Sequence, residues 1–247
     1  MKKFFCCAII LGSLALLSGC AEEIPQITTE QTLPETTAPT EVHSELYIPG
    51  VSVEDVIRYF GEVCLNAEFV NSGDPTKLQR WEMPIKYLCS GAYTQQDKVV
   101  LDNFVAWLNT VEGFPGMEET EELANLQIYF CDETEFMSIM GNNFVGTDGG
   151  VTFWYNGEDE IYRGVIGYRT DIDQQIRNSV ILEEIYNGLG PINDTQLRED
   201  SVIYSEFSQP QSLSAVDELI IRLLYHPQMA CGMDAAACEA VIRQLYY

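Results

Sequence analysis

The chain has 247 residues, 46% of them hydrophobic, and its 38 acidic side chains against 13 Lys and Arg give a formal net charge of −25. Nucleic-acid binding needs clustered basic side chains, so this balance argues against a nucleic-acid partner. It also argues against close contact between the folded part of the chain and anionic lipid headgroups.

Residues 1–20 have the features of an export signal. Lys2 and Lys3 precede an apolar stretch, residues 4–17, which is too short for a comfortable membrane span. Residues 17–20, L-S-G-C, resemble a bacterial lipobox, and this resemblance implies that Cys20 is lipidated and becomes the mature N-terminus. The alternative is an ordinary secretory signal with a chance cysteine. Loss of the two lysines would change the net charge from −25 to −27.

Residues 21–47 are rich in Thr, Pro and Glu, with no aromatic residue before Tyr47 and no helical or strand period. Such a segment cannot bury enough apolar surface to offset its ordering entropy, so we expect a disordered tether. A lipid on Cys20 would hold the protein at the membrane through this tether, outside the cytoplasm. Residues 48–247 have the length of one domain with a sizeable core.

Hydrophobic periodicity and turn residues predict an α+β domain in residues 48–247. A capping box at Ser52 and Asp55 indicates the first helix, and an Asn156-Gly157 step indicates a hairpin. The predicted helices are 52–68, 97–111, 133–140, 172–189, one that begins at 213–217 and stops before Pro227, and 234–245. The predicted strands are 83–89, 126–131, 151–155 and 161–169.

Five cysteines remain after the export signal and Cys20, an odd number for an exported chain: Cys64, Cys89, Cys131, Cys231 and Cys238. There is no C-x-x-C pair, which argues against a zinc ribbon or a thioredoxin-type site. Cys231 and Cys238 are close enough in sequence to bridge a small loop before the last helix. The alternative is that all five are small buried hydrophobic residues.

The predicted helix 172–189 and the turn after it carry the most informative motif, E-E-I-Y-N-G-L-G-P-I-N. Its spacing resembles the zinc-binding helix of the metzincin proteases, H-E-x-x-H-x-x-G-x-x-H. In that resemblance Glu183, Asn187 and Asn193 occupy the positions of the zinc ligands, and Glu184 that of the general base. Gly190 corresponds to the glycine at which the family's chain turns.

Other segments extend the resemblance. S-V-I-Y at residues 201–204 lies where metzincins have their Met-turn, and L-S-x-x-D followed by L-L-Y is similar to their closing helix. Together with R-L-L-Y-H-P-Q-M-A-C-G-M, these motifs resemble the bacterial family of domain of unknown function 2927. The resemblance covers residues 80–247 and implies a metzincin-like, or zincin-like, fold: a mixed β-sheet, a long "active-site" helix and C-terminal helices. It implies no established activity.

The residue types in the motif do not suit zinc, which prefers imidazole and thiolate ligands. The mature chain has two histidines, His43 in the tether and His226 beyond a predicted helix, so a three-histidine site is excluded. We therefore predict no metal and no cofactor. The alternatives are a hard cation held by Glu183, Glu184 and Asp194 with the two asparagines, a polar cluster that satisfies its own hydrogen bonds, or two carboxyls with a raised pKa that do acid–base work.

Three classes of function are compatible with the sequence. The first is a lipid-tethered module that binds a peptide or an envelope protein, with residues 151–155 as an edge strand and Phe153, Trp154 and Tyr155 gripping the ligand. These aromatic residues could equally belong to the core. The second is a hydrolase that uses Glu184 as the base with an atypical metal or carboxylate site. The third is a structural lipoprotein of the cell envelope.

Overall fold

The protein is described here by a computed structural model, which covers residues 44–65, 77–206 and 209–247. This part of the chain is an α+β domain with six α-helices and a six-stranded, mostly parallel sheet. The strands are β1 (Arg80–Trp81), β2 (Ile85–Gly91), β3 (Met117–Glu119), β4 (Leu126–Cys131), β5 (Gly149–Tyr155) and β6 (Glu160–Arg169). The helices are α1 (Val53–Leu65), α2 (Gln95–Leu108), α3 (Glu133–Met140), α4 (Gln174–Gly188), α5 (Ala215–Leu224) and α6 (Ala235–Leu245), and a short 3-10 helix spans Asn142–Phe144. Among these described helices none is long and apolar enough to cross a membrane.

The sheet runs in the order β3, β2, β4, β6, with all of these neighbours parallel. Strand β1 pairs with the first residues of β6, on the same side as β4. Strand β5 is antiparallel and pairs with the opposite side of β6. The hairpin between them is closed by Asn156, whose side-chain oxygen accepts hydrogen bonds from the backbone N–H groups of Glu158 and Glu160.

Helices cover both faces of the sheet. The Tyr168 hydroxyl of β6 donates to the Ile181 carbonyl at 3.1 Å, so even-numbered residues of this part of β6 face α4. A Cβ at Gly167 would lie 3.0 Å from the Phe136 ring, so the residue before Tyr168 in β6 faces α3. Strand side chains alternate between faces, and β5 therefore also has one face toward α4.

The first turns of α4 are fixed to α2 by a buried ion pair. The Arg177 Nε donates to Asp97 Oδ1 at 2.8 Å, and both side chains are buried. Asp97 also accepts from the Thr94 backbone N–H and the Gln174 side chain. Removal of one partner would leave an uncompensated buried charge, which makes this pair a strong constraint on the position of α4.

The C-terminal end of α4 is buried, so its last carbonyls need donors from elsewhere. Trp81 Nε1 donates to the Gly188 carbonyl at 2.9 Å, and the Tyr225 hydroxyl donates to the Leu189 carbonyl at 2.8 Å. The chain then turns at Gly190, which has φ +133°. A Cβ at this position would lie 2.5 Å from the Gln79 carbonyl oxygen, so no larger residue fits without a shift of the backbone.

The predicted elements are present, with ends that shift by a few residues. Helix α4 is two residues shorter at its start and one at its end than predicted, and β4 and α3 have the predicted bounds. Strand β2 begins only after Pro84, two residues later than predicted, since proline cannot donate to a ladder. Strands β1 and β3 were not predicted. The export signal, Cys20 and nearly all of the tether lie outside the described residues, as do residues 66–68 of the first predicted helix.

The possible Cys231–Cys238 bridge is not formed, because all five cysteines of the described residues are free thiols. The Cys231 thiol donates to the Arg80 carbonyl at 3.6 Å instead. Cys238 is buried on α6, and Cys64 and Cys131 are buried as well. Cys89 and Cys231 are half-buried. The alternative prediction, that the cysteines are small buried hydrophobic residues, therefore applies to three of the five.

Candidate functional site

The site of interest lies where α4 crosses β5. Helical spacing places Val180, Glu184 and Gly188 in one row along α4, and this row packs against β5. A Cβ at Gly149 would lie 2.4 Å from Val180 Cγ1 and 3.0 Å from Glu184 Oε1. The glycine therefore allows the carboxyl group of Glu184 to lie directly against the strand. We call the region around Glu184, Asn187 and Asp194, where the loop after Gly190 returns to α4, the α4–β5 cleft.

Glu184 differs from the other buried carboxyls of the domain. The residue is 9% exposed, and none of the hydrogen bonds of the described residues involves its carboxyl group, although its oxygens are not among the fully buried atoms that lack a partner. Asp97 accepts from three groups, as described above, and Asp217 accepts from the Tyr59 and Ser201 hydroxyls and two backbone N–H groups. Glu184 thus lies against β5 without the hydrogen-bond network that holds Asp97 and Asp217.

Burial raises the pKa of the Glu184 carboxyl well above its ordinary value, and the negative charges of Glu183 and Asp194 add to the rise. The nearby Tyr168 also has its pKa raised, first by burial and then by the charge of Glu184. Perturbed titration of this kind is typical of functional sites, although structural networks produce it too.

Asn187 brings to the cleft a buried atom without a hydrogen-bond partner. Its Nδ2 donates to Asp194 Oδ1 at 3.2 Å, which shows that the chain after Gly190 turns back to α4. Its Oδ1 is buried and has no hydrogen-bond partner in the described part of the chain. The loop residue that bonds to Asn187 is thus Asp194, whereas the Asn193 amide donates to the Glu62 carbonyl of α1 at 3.0 Å.

The returning loop is fixed by contacts that sequence analysis missed. Thr195 donates from its hydroxyl to the Glu62 carboxylate at 2.8 Å, and its backbone N–H donates to the Ile203 carbonyl at 2.9 Å. Ser201 donates to the buried Asp217 carboxylate at 2.7 Å, which connects the S-V-I-Y turn to α5. Asp217 was predicted only as one of the residues at which a helix begins. No local pattern shows that it also supports a turn 16 residues earlier.

Strand β5 has an outer edge that no described strand covers. The Arg169 N–H donates to the Asp148 carbonyl at 3.0 Å, so residues 148 and 169 form a hydrogen-bonded pair. Such pairs alternate along an antiparallel ladder, and β5 has no register shift before Trp154. The backbone groups of Gly149, Val151 and Phe153 therefore point away from β6, toward the outer edge of the sheet.

The three predicted aromatic residues divide between core and surface. Phe153 is partly buried against the core, while Trp154 is 39% and Tyr155 49% exposed. The Arg163 guanidinium lies 4.9 Å from the centre of the Trp154 ring, within the range of a cation–π contact. Trp154 and Tyr155 thus remain available at the distal end of β5.

The cleft offers carboxylate and amide oxygens to a metal ion, rather than the imidazole and thiolate ligands that zinc prefers. Within the described ranges no group of three or more His, Cys, Asp or Glu side chains is arranged to hold a metal ion. His43 lies outside these ranges. His226 lines a separate cavity of about 540 Å³, and its Nδ1 accepts from the Gln228 N–H.

The structure thus brings together Glu183, Glu184, Asn187 and Asp194, with β5 beside them. Comparison with known proteins adds a family but no activity. The model of the family described as protein of unknown function (DUF2927) matches residues 53–244. No curated protein matches the chain.

Proposed function

The chain belongs to the DUF2927 family, and from its own residues we propose that it is a lipid-anchored, extracytoplasmic protein that binds an extended peptide along β5 without cleaving it. The observation that carries the proposal is the outer edge of β5, with which no described strand pairs. Addition of a strand to such an edge is a common mode of peptide recognition.

The geometry of β5 supports a specific register. A bound strand would exchange backbone hydrogen bonds with Val151 and Phe153, whose N–H and C=O groups point outward. These two residues are half-buried, whereas Gly149 and Gly150 at the start of the strand are buried against Val180, Glu184 and Phe144. Natural edge strands are usually protected by charge, proline or a covering element, and an edge left open is a candidate for pairing.

The proposed absence of catalysis follows from the residue types. In a metzincin-like interpretation, supported by the spacing of the α4 motif and the turn at Gly190, the metal polarises the carbonyl and stabilises the oxyanion. Here Glu183, Asn187 and Asn193 stand at the ligand positions. Glu184 could still take a proton from water, but without a metal the oxyanion formed by attack would lack the positive charge that stabilises it in a metzincin.

A hydrolase is the second candidate, because the raised pKa of Glu184 would suit a general acid or base. A purified chain that cleaves peptides, with loss of the activity in Glu184→Gln, would replace the binding proposal by this one.

The lipid anchor is supported by the L-S-G-C sequence at residues 17–20 and by the composition of residues 21–47. The strongly acidic domain would be repelled by anionic headgroups, so a tether that holds it away from the membrane surface fits its charge.

The edge proposal is tested by Val151→Pro against Val151→Ala. Both variants lose the contact of the Val151 side chain with Gly188, but only proline removes the outward N–H. Proline is tolerated on edge strands whose N–H faces solvent, so the fold should survive. We expect extended Val/Thr-rich hexapeptides to perturb the NMR signals of residues 149–153 in Val151→Ala and to have a much weaker effect in Val151→Pro. Equal binding by both variants would refute strand addition.

A further inference from the structure

A small cavity lies where the start of α1 meets the loop after α4 and the start of α5. Its volume is about 160 Å³, and its polar lining residues are Arg58 of α1, Arg198 of the loop, Asp55 and Tyr59. The other lining residues are glycine or apolar: Gly50, Val51, Val56, Leu197 and Val216. We call this space the α1–α5 cavity. The chain has a net charge of −25 and only 13 Lys and Arg, so two arginines at one small cavity are unusual for this molecule.

Both arginines have donors that their ion pairs do not use. Arg58 Nη2 donates to Asp55 Oδ1 at 3.0 Å, and Arg198 Nη2 donates to Asp200 Oδ2 at 2.7 Å. A guanidinium has five N–H donors, so each pair uses only part of it. The two carboxylates are more than half exposed, and exposed pairs are weak because water competes for both partners. A ligand anion can therefore share these guanidinium groups without breaking a strong interaction.

Arg198 also has a buried donor without an acceptor. Its Nε is buried and has no hydrogen-bond partner in the part of the chain that the structure describes. Buried polar atoms are paired in most folded proteins, so an unpaired N–H on a charged group indicates that an acceptor is missing. The side chain as a whole is 30% exposed, which leaves it room to shift toward the cavity that it lines. A ligand oxygen in the cavity would provide the missing acceptor.

The charges at the cavity favour an anion with a single charge. The lining has two positive groups and one negative group, and Asp200 adds a second carboxylate beside Arg198. A phosphate dianion would meet these two carboxylates without a further cation to balance it. The volume is below the roughly 300–1,000 Å³ of sites for drug-sized ligands, so the ligand, or the part of it that enters, has few atoms. The apolar half of the lining suits a short aliphatic chain beside the charged group.

We propose that the α1–α5 cavity binds a carboxylate group with a short aliphatic chain, either a free small acid or the C-terminus of a peptide, through the guanidinium groups of Arg198 and Arg58. The planar fork of a guanidinium matches a carboxylate with two parallel hydrogen bonds, which the ammonium group of lysine cannot make. The aliphatic chain packs on Val56 and Leu197. The cavity shares no lining residue with β5, so this inference does not depend on the proposed peptide binding there.

The test uses the full chain in detergent, labelled with ¹⁵N in arginine so that the Nε–H signals are observed directly. Butyrate is compared with butyramide, which has nearly the same size without the charge, and with inorganic phosphate at equal ionic strength. We expect butyrate to shift the Arg198 Nε–H signal to saturation and to bind at least about tenfold more tightly than either comparison ligand, from the usual gain of hydrogen bonds to charged groups.

N-acetylvaline and N-acetylvalinamide distinguish the two sources of the carboxylate. N-acetylvaline carries the carboxylate of a peptide C-terminus, and its amide lacks it. Binding of N-acetylvaline at least as tight as that of butyrate would assign the site to a peptide C-terminus, whereas weaker binding would assign it to a free small acid.

Arg198→Lys keeps the positive charge but removes the Nε donor and the planar fork. It identifies the Arg198 signal, and it should weaken butyrate binding by at least about tenfold. The matched control is Arg222→Lys, the same substitution at a partly exposed arginine of α5 outside this cavity, which should bind butyrate as the wild type does. Thermal unfolding checks that both variants fold.

Equal binding of butyrate and butyramide, tighter binding of phosphate, or an unchanged butyrate affinity in Arg198→Lys would refute the carboxylate site. If Arg198→Lys does not fold, the comparison of butyrate with butyramide on the wild-type chain decides alone.

Discussion

Replacement of Glu184 by Gln should stabilise the domain, although most substitutions of buried residues destabilise. Glu184 is buried, has no donor in the described residues and lies near two other carboxyls. Glutamine has the same shape and carries no charge. Removal of a buried carboxyl that lies near two other acidic groups should be worth about 1–3 kcal/mol, or an increase in Tm of roughly 2–12 °C for a domain of this size.

The stabilisation should depend on pH in a defined direction. The folded-state pKa of Glu184 lies above its ordinary value of 4.5, so between these two values the folded chain holds a proton that the unfolded chain has lost. The contribution of Glu184 to the free energy of unfolding is therefore greatest below the unfolded pKa and declines as the pH rises toward the folded pKa. Glu184→Gln removes this decline.

Urea unfolding of both proteins across about pH 5 to 8 measures the difference, which should increase with pH in favour of the variant. The exposed Glu158→Gln serves as the control and should stay within about 0.5 kcal/mol of the wild type. If Glu184→Gln is less stable than the wild type at the upper end of this range, the carboxylate has a favourable partner, and the description of the cleft as a site without donors is wrong.

Cys20→Ser should release the protein from the membrane or leave it unprocessed; unchanged partitioning into detergent would contradict the lipid anchor. Elemental analysis of chain purified without a chelator or affinity tag should find no stoichiometric zinc. One zinc per chain, lost together with peptidase activity in Glu184→Gln, would favour the enzyme instead. Asp217→Asn should cost about 3 kcal/mol, because an amide nitrogen would face donors that the carboxylate now accepts, and thermal unfolding measures this. Gly149→Ala should cost about 1–3 kcal/mol through the contact with Val180, whereas Gly157→Ala, with open space around it, serves as the matched control.

The sequence was sufficient to predict the elements that carry a clear period or cap. Strand β4 and helix α3 have the predicted bounds, because the short apolar strand is followed almost directly by the helix, which fixes where the strand ends and where the helix begins. Strands β1 and β3 were missed because two or three residues cannot show an alternation. Glu118 and Glu119, two of the three residues of β3, are typical of solvated loops and of exposed sheet edges alike.

The candidate site was predicted in part. Helical spacing alone places Glu183, Glu184 and Asn187 on adjacent turns, and a glycine-proline pair predicts the turn that follows. The absence of a donor at Glu184 could not be predicted, because it depends on every side chain that approaches from β5 and the returning loop. The same holds for Arg177, whose partner Asp97 is 80 residues away.

The termination of α4 by Trp81 and Tyr225 has a consequence for assembly of the domain. The two side chains come from 107 and 36 residues away from the carbonyls that they bind, one from each end of the domain. Contacts between distant segments form late, because the loop entropy must be lost before the contact stabilises anything. The C-terminal end of α4 is therefore complete only when the segments that carry Trp81 and Tyr225 have both packed against it. A fragment that begins after β1 would contain the whole E-E-I-Y-N motif, but the Gly188 carbonyl at the end of its helix would lack the Trp81 donor.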